Sequence, residues 1–219
     1  MTANILMILA VIGAYLIGSV NSSILLSKGL TGEDIRTSGS GNAGATNMLR
    51  THGKKMGVLT LILDILKGIA AVFASKGILY ELSGNVLQLS YIEALPYMCA
   101  VAVIIGHDFP VFFKFKGGKG VATSLGAVLV LDWKIGLILL AAALIIMAVT
   151  RYVSLGSIVA GAAYIIAEML KMLLMHDYNI VKIICVLIIG SLLIIRHHAN
   201  ISRLLNGTEN KLGKKRNEQ

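Results

Sequence analysis

The feature that most constrains this chain is its succession of long apolar runs separated by short polar segments. Seven runs are apolar enough to lie in a membrane, at about 5–26, 58–79, 94–113, 121–131, 135–150, 158–175 and 180–195. A spanning helix needs about 20 apolar residues, so these runs use most of the 219 residues and leave no room for a large soluble domain. We therefore expect an all-α membrane protein, a polytopic bundle of seven transmembrane helices in which the helix at 121–131 is short.

The composition agrees with a membrane protein. Only 14% of the residues are charged, whereas soluble domains carry about a quarter. The net charge of +9 could indicate nucleic-acid binding, but the basic residues lie in short loops and a C-terminal tail, so we expect no nucleic-acid partner. Cys99 and Cys185 stand singly in apolar runs and are expected to be core residues. Asp64 and Lys67, three positions apart in the second run, are expected to neutralise each other.

The distribution of lysine and arginine predicts the orientation in the membrane. With seven spans, 15 of the 20 basic residues fall on one side, and only Lys76, Lys134, Lys171 and Lys182 lie on or near the other. Because basic residues are enriched in cytoplasmic loops, we expect the N-terminus outside and the C-terminus in the cytoplasm. We divide the chain into one transmembrane domain over 1–205 and a polar cytoplasmic tail over 206–219.

A polar stretch at 38–50 interrupts the apolar pattern and contains three glycines, three hydroxyl groups and two amides. Glycines let successive backbone N–H groups turn towards one point, which forms an anion site. If a helix begins near Ala43, then Thr46, Asn47 and Arg50 share one face above the positive end of its dipole. The stretch therefore indicates a phosphate or carboxylate site, and the alternative is a flexible loop with one surface arginine.

Four polar clusters share one side of the predicted bundle and favour the anion site over the loop. They lie at 38–50, 106–120, 151–157 and 196–203. Irregular backbone at membrane depth is tolerated only where it is buried in protein or lines a cavity. We therefore expect the four clusters to meet around a cavity at the cytoplasmic face that binds an anionic ligand.

Other familiar motifs do not fit the sequence. The segment 39–44 matches GxGxxG but follows a membrane span instead of a strand, and 117–120 lacks the first glycine and the Ser/Thr of a phosphate-binding P-loop. His197 and His198 have no cysteine or carboxylate partners in sequence, so these two histidines are only a weak signal for a metal site. No histidine has an aspartate five positions later, so the H-x4-D motif of CoA-dependent glycerolipid acyltransferases is absent. We expect no cofactor and no metal.

Three segments together resemble the motifs of one known family. Residues 40–50, 114–123 and 197–209 are similar to the first, second and third motifs of the bacterial acyl-phosphate:glycerol-3-phosphate acyltransferases, the PlsY family. Their order and spacing and the total length match that family. His198 departs from the pattern, because many relatives have a basic residue such as arginine there, and Val153 stands where some relatives carry a second serine.

The resemblance implies transfer of a fatty acyl group from acyl phosphate to the 1-hydroxyl of glycerol 3-phosphate. The products would be lysophosphatidic acid and inorganic phosphate, in the first step of bacterial phospholipid synthesis. The resemblance also implies a multi-pass protein of the bacterial inner membrane, with its active site facing the cytoplasm. Its partners would be the two substrates and membrane lipid, and we expect a monomer.

The resemblance also implies roles for individual residues. The expected catalytic residues are Ser40, Arg50, Lys119, His197 and Asn200. The expected substrate-binding residues are Gly41, Asn42, Thr46, Asn47, Lys114, Gly117, Gly118, Gly120 and Ser154. Arg50 and Lys119 would bind phosphate, and the glycines of the second motif would offer backbone N–H groups to glycerol 3-phosphate. Ser40, Ser154, His197 and Asn200 would position the acyl phosphate and stabilise charge on its carbonyl oxygen.

Some alternatives stay open at this point. The proton of the attacking hydroxyl could pass to His197 or to a substrate phosphate oxygen, and we favour the substrate. An acylated Ser40 is less favoured because no base is adjacent to it in sequence. Glu209 would tie the C-terminal segment to a basic residue, and Glu168 would make a buried polar contact. A phosphate or organic-anion transporter is the rival function, although the outer loops carry no comparable polar cluster; a scaffolding protein is the third.

Overall fold

The computed structural model describes residues 2–83 and 93–213, and within them the chain is helical with no strand. The α-helices are α1 Thr2–Ser19, α2 Ser22–Thr31, α3 Ala45–Thr51, α4 Gly53–Ser83, α5 Leu95–Asp108, α6 Val121–Leu131, α7 Trp133–Thr150, α8 Val153–Leu174, α9 Ile180–Ile195 and α10 His198–Leu205. Two short 3₁₀ turns occupy Ile35–Thr37 and Val111–Phe113. In the described residues, five helical segments are long and apolar enough to span a membrane, or six if the bent pair α9–α10 counts as one span.

The first predicted run lies within one candidate membrane span, Asn4–Thr31, but its helix is broken between Ser19 and Ser22, which the sequence pattern did not show. Asn21 ends α1 and caps α2, since its side-chain oxygen accepts a backbone N–H of the next turn at 3.1 Å. Two carbonyl groups left without helical partners at the break, those of Gly18 and Val20, accept hydrogen bonds from Lys67 at 3.3 and 3.2 Å. A buried cation of α4 therefore stabilises the break.

The other predicted runs coincide with helices, with shifts at their ends. The run at 121–131 and the run at 180–195 match α6 and α9 at both ends. The run predicted at 158–175 begins earlier, at Val153, which places Ser154 in the first turn of α8. Most of the polar link predicted at 80–93 lies outside the described residues.

Glycines bring the helices of the bundle into close contact. A Cβ on Gly18 or Gly106 would overlap a carbonyl oxygen of the facing helix between α1 and α5, and the same holds for Gly68 and Gly126 between α4 and α6. Lipid tails are as apolar as the side chains, so membrane helices associate through such close packing at small residues. The short helix α6 is about 16 Å long at 1.5 Å per residue and is fixed in this way against α4.

Buried charges in the bundle are paired. Lys67 lies 3.0 Å from Asp64, which confirms that these two residues neutralise each other. At the start of α7, Asp132 caps the helix and pairs with Lys171 at 2.7 Å. Glu168 is fully buried and lies 3.7 Å from the same lysine, in keeping with the expected buried polar contact.

Candidate active site

A cavity of about 1260 Å³ opens where the polar clusters meet. Residues from all four predicted clusters line its polar end, so the expected convergence is observed. From there the cavity continues between α4, α6, α7, α8 and α9, where its walls are apolar and include Leu61, Leu125, Leu140 and Met147. The cavity therefore has one polar end and one apolar arm.

Twelve of the 14 predicted site residues line this cavity. They are Ser40, Gly41, Asn42, Thr46, Asn47, Arg50, Gly117, Lys119, Gly120, Ser154, His197 and Asn200. The two exceptions are Lys114 and Gly118, which are not among the lining residues. The motifs thus locate the site, while the contribution of each residue depends on its contacts.

Lys114 is exposed and does not reach the cavity, so the structure does not support the expected substrate contact. Its loop is held from the other side by Arg36, whose guanidinium donates to the carbonyl oxygens of Phe113 and Lys116 at 2.9 and 2.8 Å. The same guanidinium makes a two-pronged ion pair with Asp34, at 2.9 and 2.7 Å, and holds the pKa of that carboxyl at about 2. This pair joins the loop of the first motif to that of the second.

The glycines of the second motif are held by the protein itself. The N–H groups of Gly117 and Gly118 donate to the carbonyl oxygens of Asp108 and His107, both at 3.1 Å. The carbonyl oxygen of Gly118 accepts from Arg196 at 2.6 Å. Both N–H groups are thus already hydrogen-bonded within the protein, and the expected contact of these glycines with the substrate stays a prediction.

Gly120 shapes the entrance to α6. Its φ of +71° lies in the left-handed region that favours glycine, and it precedes the first turn of α6 without a side-chain cap. Val121 and Ala122, which follow it, line the cavity. The positive end of the α6 dipole is thus available to an anion in the cavity.

Asn47 holds the loop of the first motif. Its side-chain oxygen accepts the N–H of Ser40 at 2.9 Å, and its amide nitrogen donates to the carbonyl oxygens of Ile35 and Ser38 at 3.2 and 3.0 Å. With these bonds made, Asn47 shapes the cavity wall and leaves little capacity for the expected substrate contact. Asn47 itself lies in α3, and this helix begins at Ala45, whereas the sequence analysis assumed a start near Ala43.

A chain of polar contacts links the second and third motifs. Lys119 donates to the side-chain oxygen of Asn200, and the amide of Asn200 donates to Glu209 at 2.8 Å. Glu209 also accepts from Arg203 at 2.7 Å, which agrees with the expected tie between this carboxylate and a basic residue. The chain fixes the amide of Asn200 so that its oxygen faces the Lys119 ammonium group.

The beginning of the predicted tail folds back onto the site. Thr208, Glu209 and Asn210 line the cavity, and Arg50 donates to the carbonyl oxygen of Asn210 at 3.4 Å. Residues 214–219 lie outside the described residues, so the proposed division of the chain at residue 205 stays a prediction.

The polar end of the cavity carries excess positive charge. Arg50, Lys119, Arg196 and Arg203 line the cavity against two carboxylates, those of Asp64 and Glu209, of which Asp64 is already paired with Lys67. Burial, followed by the charge of Arg203, lowers the pKa of Lys119 to about 8, and burial also lowers the pKa of Arg50 below its usual value. Cations held close together in a partly buried site favour a bound anion.

His197 is positioned as a neutral imidazole beyond the end of α9. Its Nδ1 donates to the carbonyl oxygen of Leu193 at 2.7 Å, which leaves Nε2 with a lone pair. Burial, followed by the charge of Lys119, lowers the pKa of His197 to about 4. At neutral pH the ring can therefore accept a hydrogen bond or a proton.

Three residues with clear contacts were missed by the sequence reasoning. Arg196 holds Gly118, lies 3.7 Å from the buried Asp108 and stacks on Phe109 at 4.8 Å. The carbonyl oxygen of His107 accepts the N–H of Gly118, and Arg36 donates to the carbonyl oxygen of Phe113, so both residues hold the loop of the second motif. Arg196 directly precedes the third motif and His107 lies shortly before the second, and this nearness in sequence was the signal that could have found them.

Within the described part of the chain, no three His, Cys, Asp or Glu side chains are grouped as a metal site requires.

Comparisons with known proteins point to one family. The sequence profile of the glycerol-3-phosphate acyltransferase family matches residues 8–207. A curated glycerol-3-phosphate acyltransferase of Clostridioides difficile strain 630 is 43% identical over 210 residues, which is 95% of this chain and 96% of the relative. A second, "Glycerol-3-phosphate acyltransferase 2" of Thermotoga maritima, is 43% identical over 198 residues, covering 90% of this chain and 92% of the relative.

Solved structures show the same fold. The crystal structure of PlsY, an integral membrane glycerol 3-phosphate acyltransferase, in its glycerol 3-phosphate form, matches with a TM-score of 0.78 and 38% identity. The match covers 94% of this chain and 96% of that one. The lysophosphatidic acid form matches with a TM-score of 0.74 and 36% identity, over 94% and 95% of the two chains. The chain is therefore an integral membrane protein and belongs to the glycerol-3-phosphate acyltransferase family.

Proposed function

We propose that the chain transfers a fatty acyl group from acyl phosphate to the 1-hydroxyl of glycerol 3-phosphate and releases lysophosphatidic acid and inorganic phosphate. The observation that carries this proposal is the single cavity that joins a basic polar end to an apolar arm. A soluble dianion fits the polar end, and the chain of a fatty acyl group fits the arm. Family membership favours this function over the rival anion transporter.

The polar end would hold both phosphate groups near the reacting atoms. Arg50 offers a planar two-pronged contact, Lys119 a point charge and the start of α6 its free N–H groups. Ser154, whose hydroxyl is buried without a partner in the described residues, would donate to the acyl phosphate together with the second amide N–H of Asn200, and the lone pair on His197 Nε2 would accept from the hydroxyl of glycerol 3-phosphate. Ser40, exposed at the cavity rim, would assist them.

The reaction needs one nucleophilic attack and one leaving group. The 1-hydroxyl oxygen of glycerol 3-phosphate attacks the acyl carbon, the bond from that carbon to the phosphate oxygen breaks, and phosphate leaves. Acyl phosphate is already activated, so holding the two substrates together supplies much of the rate. No covalent enzyme intermediate is required.

We infer that a substrate phosphate oxygen takes the hydroxyl proton, with His197 positioning the substrate. Under this hypothesis, His197→Gln keeps measurable turnover, because glutamine retains a polar group at the cavity wall, and its pH profile of kcat changes. Steady-state kinetics of the purified variant test it. Complete loss of turnover in a folded variant that still binds substrate would assign the proton to His197 instead.

We also infer the orientation of the protein. The polar end of the cavity lies on the side that holds most lysines and arginines, which the positive-inside rule places in the cytoplasm of a bacterial inner membrane. Seven spans with α6 as the short one, an outer N-terminus and a monomeric state complete this proposal.

The choice of acyl donor tests the proposed function. Purified protein in lipid vesicles would receive radiolabelled glycerol 3-phosphate with either palmitoyl phosphate or palmitoyl-CoA. We expect labelled lysophosphatidic acid with palmitoyl phosphate alone, together with an equal amount of inorganic phosphate. Transfer from palmitoyl-CoA alone would refute the donor assignment, and uptake of label without acyl transfer would favour the transporter.

A further inference from the structure

A buried histidine outside the predicted site residues faces the cavity. His107 lies near the end of α5, is only 3% exposed and contributes to the cavity wall. The Lys67 ammonium group is 2.8 Å from its Nδ1 and also holds the two carbonyl groups at the break between α1 and α2. The histidine is therefore tied through Lys67 to the break between α1 and α2.

The neighbour at Nδ1 fixes the state of the imidazole ring. An ammonium group can only donate, so Nδ1 accepts, and a protonated ring would set two donors against each other. Asp64, at 3.7 Å from Nδ1, already accepts from Ser22 and Lys67, both at 3.0 Å. His107 is thus neutral with its proton on Nε2.

The Nε2 atom lies where the first and second motifs meet. A Cβ on Gly118 would overlap Nε2, and it would lie 2.6 Å from the carbonyl oxygen of Ala43. No acceptor hydrogen-bonds Nε2 among residues 2–83 and 93–213. His107 lines the cavity, and its Nε2–H group therefore has a hydrogen bond still to make.

We propose that His107 binds substrate directly, with its Nε2–H donating to a phosphate oxygen in the polar end of the cavity. Lys119 follows Gly118 in sequence, and Lys119 and His107 both line the cavity. A phosphate oxyanion is the ligand that both can share, and Lys67 is the positioning residue that directs the proton to Nε2. The inference deepens the proposed function and rests on it for the choice between the two substrate phosphates.

Two variants of His107 separate binding from support. In His107→Asn, the carboxamide occupies the place of Nδ1, so it keeps an acceptor for Lys67 and loses the donor to the cavity. In His107→Gln, the longer carboxamide brings an N–H group to the place of Nε2. A hydrogen bond to a charged group is lost in the first variant and retained in the second.

The expected result is a difference in phosphate binding between the two variants. Calorimetry in lipid nanodiscs would give Kd for glycerol 3-phosphate and for inorganic phosphate, and kinetics would give KM for each substrate. We expect His107→Asn to weaken binding about tenfold and His107→Gln to recover most of it. The substrate whose KM changes identifies which phosphate the imidazole contacts.

If His107 were purely structural, His107→Gln would weaken binding more than His107→Asn, because only His107→Asn keeps the Lys67 contact. That result, or unchanged binding in both variants, would overturn the proposal.

Wild-type protein labelled with ¹⁵N-histidine provides a test that needs no folded variant. Phosphate or glycerol 3-phosphate should shift the Nε2 resonance of His107, and an unshifted resonance at saturation would overturn the proposal. Absence of turnover in the wild type would refute the proposed function instead, since binding is measured separately.

Discussion

At the scale of single residues, the charge on Lys119 controls how well the empty site attracts a phosphate. Its ammonium group is crowded by Arg203 and partly buried, so the proton is held less tightly than on a free lysine. The side-chain oxygen of Asn200 accepts from this ammonium group, and the amide of Asn200 is itself oriented because it donates to Glu209. Protonation of this one side chain should therefore appear in the kinetics.

We predict that kcat/KM for glycerol 3-phosphate falls about tenfold between pH 7 and pH 9, because the pKa of Lys119 is lowered to about 8. The cationic form is present below that pKa and is lost above it, whereas the substrate is a dianion throughout, since a phosphate monoester has its second pKa near 6. Lys119→Arg should keep its charge and move the fall to higher pH. An identical fall in wild type and Lys119→Arg would contradict this assignment.

Residue composition predicted which segments meet at the cavity but could not assign every contact. Glycine, hydroxyl, amide and basic residues in short segments predict an anion cavity, and Arg50, Lys119 and His197 line it as expected. Lys114 was misplaced because Arg36, 78 residues earlier in the chain, decides which way its loop faces. The N–H groups of Gly117 and Gly118 have acceptors that the sequence pattern did not indicate, since they donate to the carbonyl groups of Asp108 and His107 at the end of α5.

At the scale of helices, the break between α1 and α2 depends on a cation from another helix. Hydropathy treats 5–26 as one run, because the interruption lies in a few small polar residues whose effect depends on Lys67 of α4. The helices α6 and α9 were predicted at both ends, because polar residues bound their apolar runs on each side. Long-range partners therefore explain the element that the sequence pattern misjudged.

We predict that Lys67→Met lowers the free energy of unfolding by about 3 to 5 kcal/mol, because it leaves the buried Asp64 carboxylate without its counter-ion. The double variant Asp64→Leu/Lys67→Met should be less destabilised than Lys67→Met, since no unpaired charge remains. Thermal or denaturant unfolding in detergent micelles measures both. The exposed Lys134→Met is the control and should change stability by less than about 0.5 kcal/mol. A double variant less stable than the single one would contradict the charge-pairing account.

At the scale of the whole molecule, the bundle brings a water-soluble and a lipid-soluble group to one place. The polar end is formed by loops and helix ends, and the apolar arm runs between helices. Sequence reasoning predicted the polar end from its motifs but did not predict the arm, because its walls come from apolar residues that resemble all other membrane-facing residues.

We predict that filling the arm changes the choice of acyl chain. Ala160 of α8 lines the cavity, so Ala160→Phe should raise KM for palmitoyl phosphate relative to octanoyl phosphate by about tenfold or more, through loss of apolar contact with the longer chain. Ala142→Phe is the matched control, since Ala142 is exposed on α7 and is not among the cavity residues. Equal effects on both chain lengths in Ala160→Phe would place the acyl chain elsewhere.

The most direct test of the account asks whether the basic end of this cavity is where acyl transfer occurs. The measurement is kcat/KM for glycerol 3-phosphate, with palmitoyl phosphate as donor, in wild type, Arg50→Ala and Lys55→Ala. Arg50 lines the cavity, whereas Lys55 is an exposed cation close to it in sequence and outside the cavity. We predict a fall of about 100-fold or more for Arg50→Ala, as expected for loss of a two-pronged phosphate contact, and a change within about twofold for Lys55→Ala. Similar values for the two folded variants would contradict the account.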